Sequence, residues 1–511
     1  MVVGPTSELM HSGLVRAAAP PGDRVAVRAG DRSWTFAELD GMSNAVSAVL
    51  ARHGVGTGSR VAVMSTNRVE FIVAVSAISK LGAATVLLST AWKAAEVGHA
   101  TGLTGPSLAI ADGPPVDLLG GVLGTDRVLD LDGPELLDAL AHPTAVAPGH
   151  DVDPGGEAVL VFSSGTTGMP KAVRHTHASM ACAVQQWADA LDLGPDDRLQ
   201  VATPPSHILG LLNLLTAAHV GASVRLHPRF DLDEVLHRIE TDRVTLEMAV
   251  APIALAMANH PDLESFDLSS LRYIMWGATP VTESVARRVT ERTGVRFLQG
   301  YGASELPVIA VNPVERPDEW RLDSAGLPVT GVELRVVDLD TGAVLPAGEV
   351  GEIQARSPSL MLGYLPEEAN GESFREGWYR TGDVGWLEPE GWVHLTDRSK
   401  EMIKVNGFQV APAEIEAVLH GHPAVLDCAV FGIPDERAGE VPVAAVQLDP
   451  ARAVDDGELE RLVADSLATY KNLRHLVVVD VIPRLPSGKV LRRTLRDEWA
   501  PTLAPKMERH N

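Results

Sequence analysis

At 511 residues the chain is too long for one hydrophobic core, so two or more domains are expected. With 45% hydrophobic and 22% charged residues, its composition is that of an ordinary soluble globular protein. A net charge of −24, from 43 basic and 67 acidic residues, argues against nucleic acid or an anionic membrane surface as a general partner; an anionic substrate then needs a local basic site.

The N-terminal "MVVGPTSELMHSG" has no basic patch followed by an apolar run, so no signal peptide is expected. From about residue 21 to 140 short β-type runs alternate with helical ones. "RVAVMS" reads as a strand, "RVEFIVAVSAISKLG" as a helix and "ATVLLS" as a second strand, the βαβ rhythm of a parallel sheet. The rhythm recurs in "EAVLVFSS", "HASMACAVQQWADAL" and "DRLQVATP", then in "RVTLEMAV" and "LRYIMWG". Two apolar runs, one carrying Lys80 and one carrying Asn213 and His219, are marginal as membrane spans and read as buried helices. After about residue 325 period-two alternation with turn residues predicts antiparallel hairpins, and past Asp397 a small α+β pattern begins. The expected fold class is α/β. A large N-terminal domain of several subdomains, with parallel βαβ sheets and a β-hairpin region, takes residues 1–397, and a small α+β C-terminal domain takes 398–511.

Several features have a plain structural reading. Gly54, Gly56 and Gly58 precede a strand rather than follow one, so they form a turn and not a dinucleotide-binding loop. His175, His177, His420 and His422 form pairs without further ligands nearby, and no metal is expected there. Ser466 in "ADSLAT" reads as part of a helix and not as a carrier attachment site. Cys182 and Cys428 cannot build a disulfide framework or a Cys-rich zinc site, which fits a reducing cytoplasm.

"VFSSGTTGMPK", from Val161 to Lys171, cannot be core. Glycines let backbone N–H groups approach phosphate oxygens, hydroxyls add donors and a lysine adds a point charge. A Walker loop is excluded: Gly165 and Gly168 are three apart, Pro170 precedes the lysine and Ala172 follows it. The stretch resembles instead the signature loop of the acyl-adenylate-forming superfamily, and its companions follow in order over nearly the whole chain. "QGYGASE" is similar to that family's Gly-Tyr-Gly-x-Thr-Glu segment, with Ser304 in place of Thr. "WGATPV" resembles its adenine-pocket wall, "WYRTGD" its Tyr-Arg-Thr-Gly-Asp motif and "FGIPDERAGEVPVAAV" a C-terminal domain motif. "DRSKEMIKVNGFQVAPAEIE" resembles the domain junction of 4-coumarate–CoA ligases, and "LPSGKVLRR" carries the family's adenylation lysine.

The resemblance implies a role for each position. Ser163, Ser164, Gly165, Thr166, Thr167, Gly168 and Lys171 hold the departing phosphates. Gln299, Gly300, Tyr301, Gly302, Ser304, Gly277, Ala278 and Thr279 form the adenine and α-phosphate side, with Tyr301 stacking on adenine. Asp383 and Arg398 take the ribose, and Glu305 takes Mg²⁺. Lys489 bridges the carboxylate and the α-phosphate, and His207 stands near the substrate carboxylate. Lys400 is the hinge about which the C-terminal domain turns as a mobile lid. Lys404, Gly407 and Gln409 face the site when CoA attacks. The acyl pocket is lined by Leu209, Gly210, Met275, Trp276, Ala278, Ala303 and Val308, mainly apolar, which favours an aliphatic, alicyclic or aryl acid. No acidic residue lies between Thr203 and Leu212 to hold an amino acid's ammonium group.

The implied activity is an AMP-forming acyl-CoA synthetase using ATP, Mg²⁺ and CoA on a small carboxylic acid. An adenylating enzyme that delivers its acyl group to a carrier protein or to oxidation, or a variant competent in one half-reaction, stays open. No nucleic-acid partner or membrane span is expected, and the sequence leaves oligomeric state open, a homodimer included.

Overall fold

In the computed structural model, residues 7–149, 151–163, 170–277, 283–398, 401–405, 408–435, 438–485 and 488–507 are described. Two large sheets carry the N-terminal part. The seven-stranded sheet sets Ala84–Leu87, Arg60–Met64, Leu108–Ala111 and Val128–Asp130 parallel to Glu157–Ser163. Its other edge is antiparallel, with Lys171–Thr176 and then Gly363–Leu365. The nine-stranded sheet runs parallel through Phe297–Tyr301, Tyr273–Trp276, Leu246–Ala249, Arg198–Val201, Ser223–Leu226 and Val25–Ala29. Such strands are covered by helices on both faces, which is why they read as unbroken apolar runs.

The two apolar runs that carry polar residues are helices Val69–Lys80 and Ile208–Val220, of 12 and 13 residues. No described helix is long and apolar enough to cross a membrane. Lys80 is buried because its ammonium is fully met, by Asp40 Oδ1 at 2.6 Å, Ser43 Oγ at 2.7 Å and Asn44 Oδ1 at 2.6 Å. Unpaired, such a charge would cost several kcal/mol, on the order of 3–5. Cys182 and Cys428 are free thiols, both buried.

Past residue 325 the predicted hairpins form an antiparallel sheet in which Gly351–Arg356 lies between Glu333–Val337 and Trp378–Leu387. A smaller C-terminal domain has its own sheet of Ile403–Val405, Phe408–Val410, Val425–Asp435, Gly439–Leu448 and His475–Val478, with its own apolar clusters. The strand Lys171–Thr176 pairs antiparallel with Glu157–Ser163 and comes before the helix His177–Ala190, which begins at the expected His177. Ser466 is the last residue of helix Glu458–Ser466, since Leu467 turns to an extended backbone.

Candidate active site

Two cavities meet between the sheets and the C-terminal domain, with Gly300, Tyr301, Gly302 and Lys489 on both. The first, about 320 Å³, is lined by Ser163, His207, Leu209, Met275, Gly277, Ala303, Ser304 and Glu305, and also by Trp187, Leu212 and Met248. The second, about 470 Å³, takes in Trp276, Gln299, Asp383, Trp386 and His394, with Glu401, Arg484 and Arg492 from the C-terminal domain.

The segment from Gln299 to Glu305 sits at the C-terminal end of the parallel strand Phe297–Tyr301, where open α/β sheets place ligands. Its turn is tight: a Cβ on Gly302 would stand 2.1 Å from the Pro307 carbonyl oxygen, so only glycine fits. The Tyr301 phenol donates to Asp383 Oδ2 at 2.5 Å, and Thr381 Oγ1 accepts from the Asp383 backbone at 3.0 Å. The Gln299 amide is oriented to donate to the carbonyls of Ser324 and Leu322.

Two residues outside the motifs hold Glu305 and Ser304 in place. Tyr364 donates to Glu305 Oε1 at 2.8 Å, while the Lys171 ammonium lies 5.2 Å from the centre of its ring. The register explains this, for Tyr364 pairs with Val173 on the hairpin strand that starts at Lys171. Burial and the Glu305 carboxylate push the Tyr364 phenol up, so it stays a donor. His175, fully buried on the same strand, bonds the Ser304 carbonyl through Nε2 at 2.7 Å, and burial pulls its imidazole down to about 4. His207 caps the helix Ile208–Val220, accepting from the Leu209 backbone at 3.4 Å, and burial pulls it down to about 4 as well. At neutral pH its imidazole is therefore uncharged.

Lys489 reaches both cavities on a short turn of the C-terminal domain. Leu485 N donates to the Lys489 carbonyl at 2.8 Å and Arg484 Nη1 to the Gly488 carbonyl at 2.8 Å. Gly488 has φ +83°, and a Cβ there would stand 2.9 Å from Pro252, so the turn seats closely on the large domain. The Lys489 ammonium is 3.6 Å from Glu401, whose carboxylate also pairs with Arg492. Arg492 in turn bonds Glu416 at 2.8 and 2.9 Å.

Not every expected residue joins these walls. Trp276 is fully buried on the opposite face of its strand from Met275, packed on Phe297 at 5.6 Å, and lines the second cavity rather than the acyl side. Gly210 packs on the Pro204 carbonyl and Val308 lies in the core; neither lines the first cavity. Lys404 is exposed, its backbone N–H bonded to Glu440 at 2.9 Å, and borders neither cavity. Arg398 and Gln409 are placed as strand positions only, opposite Asp383 and Lys404. Ser164, Gly165, Thr166, Thr167, Gly168, Ala278, Thr279, Lys400 and Gly407 lie outside the described residues.

Two adjoining cavities share a lysine, one of them with Trp187, Leu209, Leu212 and Met275 in its wall, a layout that suits an enzyme joining a carboxylic acid to a nucleotide. Comparison with known proteins agrees: residues 14–365 match the model of the AMP-binding enzyme family and residues 414–489 that of the AMP-binding enzyme C-terminal domain. The chain belongs to this family and is an adenylate-forming acid–thiol ligase. It is 35% identical over 482 residues to 4-coumarate–CoA ligase 5 of Oryza sativa subsp. japonica, covering 91% of this chain and 89% of the relative. Among solved structures it is similar to an anthranilate CoA ligase in complex with anthranoyl-AMP, with 28% identity, TM-score 0.90 and coverage of 97% and 98%. It is also similar to an amide bond synthetase from Marinactinospora thermotolerans, with 30% identity, TM-score 0.85 and coverage of 96% and 100%.

Proposed function

We propose that the chain is an acyl-CoA synthetase acting on a small acid with an aliphatic, alicyclic or aryl body. A carboxylate oxygen of the acid attacks the α-phosphorus of ATP, the bond to the β-phosphate oxygen breaks, and pyrophosphate leaves. The CoA sulfur then attacks the acyl carbon, the bond to AMP breaks, and the thiol proton passes to solvent. The observation that carries this reading is the position of Lys489 on the wall common to both cavities.

In the first step one anion attacks another, so catalysis is mostly positioning and charge neutralisation. Lys489 bridges the carboxylate and the α-phosphate. The hairpin loop from Ser163 to Lys171 holds the phosphates that leave, and Tyr301 with Asp383 holds the adenosine. Neutral His207 offers a hydrogen bond to the acid without pairing with it as a cation. Magnesium, which the family implies, fits the donor set: Glu305, steadied by Tyr364, faces the cavity, and Mg²⁺ is usually held by one or two carboxylates together with substrate phosphates. When bound it offsets phosphate charge.

For the second step the C-terminal domain turns about Lys400, carrying Lys489 away and bringing Lys404, Gly407 and Gln409 in. The exposure of Lys404 supports this, since it belongs to neither cavity in the arrangement described. The names of the 4-coumarate and anthranilate ligases support CoA as acceptor; the amide bond synthetase keeps an amine in view as the competing one. The test is incubation with ATP, Mg²⁺ and an acid panel, with CoA, with an amine and with neither. Acid-dependent AMP release with CoA, and a thioester mass, is the expected result. Stable acyl-AMP without CoA use, or amide in place of thioester, overturns the choice of acceptor.

A further inference from the structure

One side chain in the wall of the acyl cavity belongs to no motif. Trp187, near the end of helix His177–Ala190, is 4% exposed and lines the cavity together with Leu212 and Met248. Its indole Nε1–H donates to Asn213 Oδ1 at 2.8 Å, in the core. A buried tryptophan whose single donor is satisfied is held in one orientation. His207 caps the helix Ile208–Val220, which contributes Ile208, Leu209 and Leu212 to the lining; Leu212 lies about 7.5 Å along that helix from His207 at ~1.5 Å per residue. Trp187, with its N–H engaged, Leu212 and Met248 offer the cavity only apolar surface, so nothing among them rewards a charged or hydroxylated tail.

We propose that Trp187 is a specificity-determining residue that sets the length of acid accepted. It restricts the enzyme to compact acids, with one ring bonded directly to the carboxyl carbon or a short branched chain. It rejects acids whose ring stands two carbons away and linear chains of eight carbons, because interiors do not yield to extra methylenes without strain. The inference rests on the acyl-CoA synthetase reading and adds to it the class of acid.

The test compares the wild type with Trp187→Leu and Trp187→Phe on benzoic, cyclohexanecarboxylic, trans-cinnamic and octanoic acids. AMP release and thioester mass give kcat/KM. The wild type should prefer the two one-ring acids by tenfold or more, since pocket contacts discriminate by about 10–200-fold per methylene. Trp187→Leu should erase or reverse that preference, chiefly by lowering KM for the longer acids. Trp187→Phe, which keeps an aromatic ring there, should stay nearer the wild type. If Trp187→Leu does not fold, Trp187→Met opens the same space with more volume retained. An unchanged ranking in these variants, or a wild type that prefers cinnamic or octanoic acid, overturns the proposal. Acid-dependent rises in Tm with a non-hydrolysable ATP analogue read the same ranking without turnover. A wild type that makes no thioester therefore overturns only the CoA reading.

Discussion

Tyr301 and Asp383, 82 residues apart, are joined by a 2.5 Å hydrogen bond from phenol to carboxylate, with both side chains more than nine-tenths buried. The ring expected to face adenine and the carboxylate expected to face ribose therefore fix each other before any nucleotide arrives. Tyr301→Phe keeps the ring and removes the donor. A hydrogen bond to a charged group contributes about 1.5–3 kcal/mol. The KM for ATP should rise on the order of tenfold, with a smaller change in kcat; steady-state kinetics in ATP checks this, and an unchanged KM counts against the pairing.

Lys489 stands next to both cavities and next to Glu401. Lys489→Ala should lower acid-dependent ATP–pyrophosphate exchange by about 10²–10³, the usual effect of losing one electrostatic group at a transition state. Conversion of supplied acyl-AMP to thioester should fall much less. Near-wild-type exchange in this variant would sink the assignment.

Lys400→Pro tests the rotation. A proline at the pivot fixes φ and blocks the backbone change that domain turning needs. Thioester formation should slow far more than exchange, measured as separate half-reactions. Equal losses in both would argue against a hinge at this position.

The pH dependence of stability follows from buried groups. Burial holds His11, His175, His177, His207 and His227 down to about 4. Unfolded, each binds a proton near 6.5, so below that value the unfolded chain binds more protons than the folded one. The stability these neutral imidazoles carry is complete above about pH 6.5 and drains away as pH falls toward 4. Glu247 works the other way. Burial pushes its carboxyl up to about 8, with Gln200 donating to it at 2.5 Å, so it loses stability as pH rises from about 4.5 through 8. Glu247→Gln should raise Tm at pH 9 and leave it nearly unchanged at pH 5; equal shifts at both values would refute the account.

Much of the fold was legible because parallel strands buried on both faces leave unbroken apolar runs, as in Arg60–Met64 and Tyr273–Trp276. The strand Lys171–Thr176 is marked in the sequence only by the alternation of "KAVRHT", directly after a glycine-rich loop. Trp276 and Met275 are neighbours in sequence, yet adjacent strand residues point to opposite faces, and that alone separates them. Tyr364 and His175 left no local signal: their roles at Glu305 and Ser304 come from strand pairing and from contacts across 59 and 129 residues. Trp187 sits in an ordinary helical run, and only the packing of two helices brings it to the cavity wall.

The turn that carries Lys489 has a consequence for how the two ligands sense each other. One ammonium borders both cavities, on a turn whose Gly488 lies close against Pro252. On the proposed reading acid and nucleotide share that cation, and by linkage any factor by which the acid tightens ATP is the factor by which ATP tightens the acid.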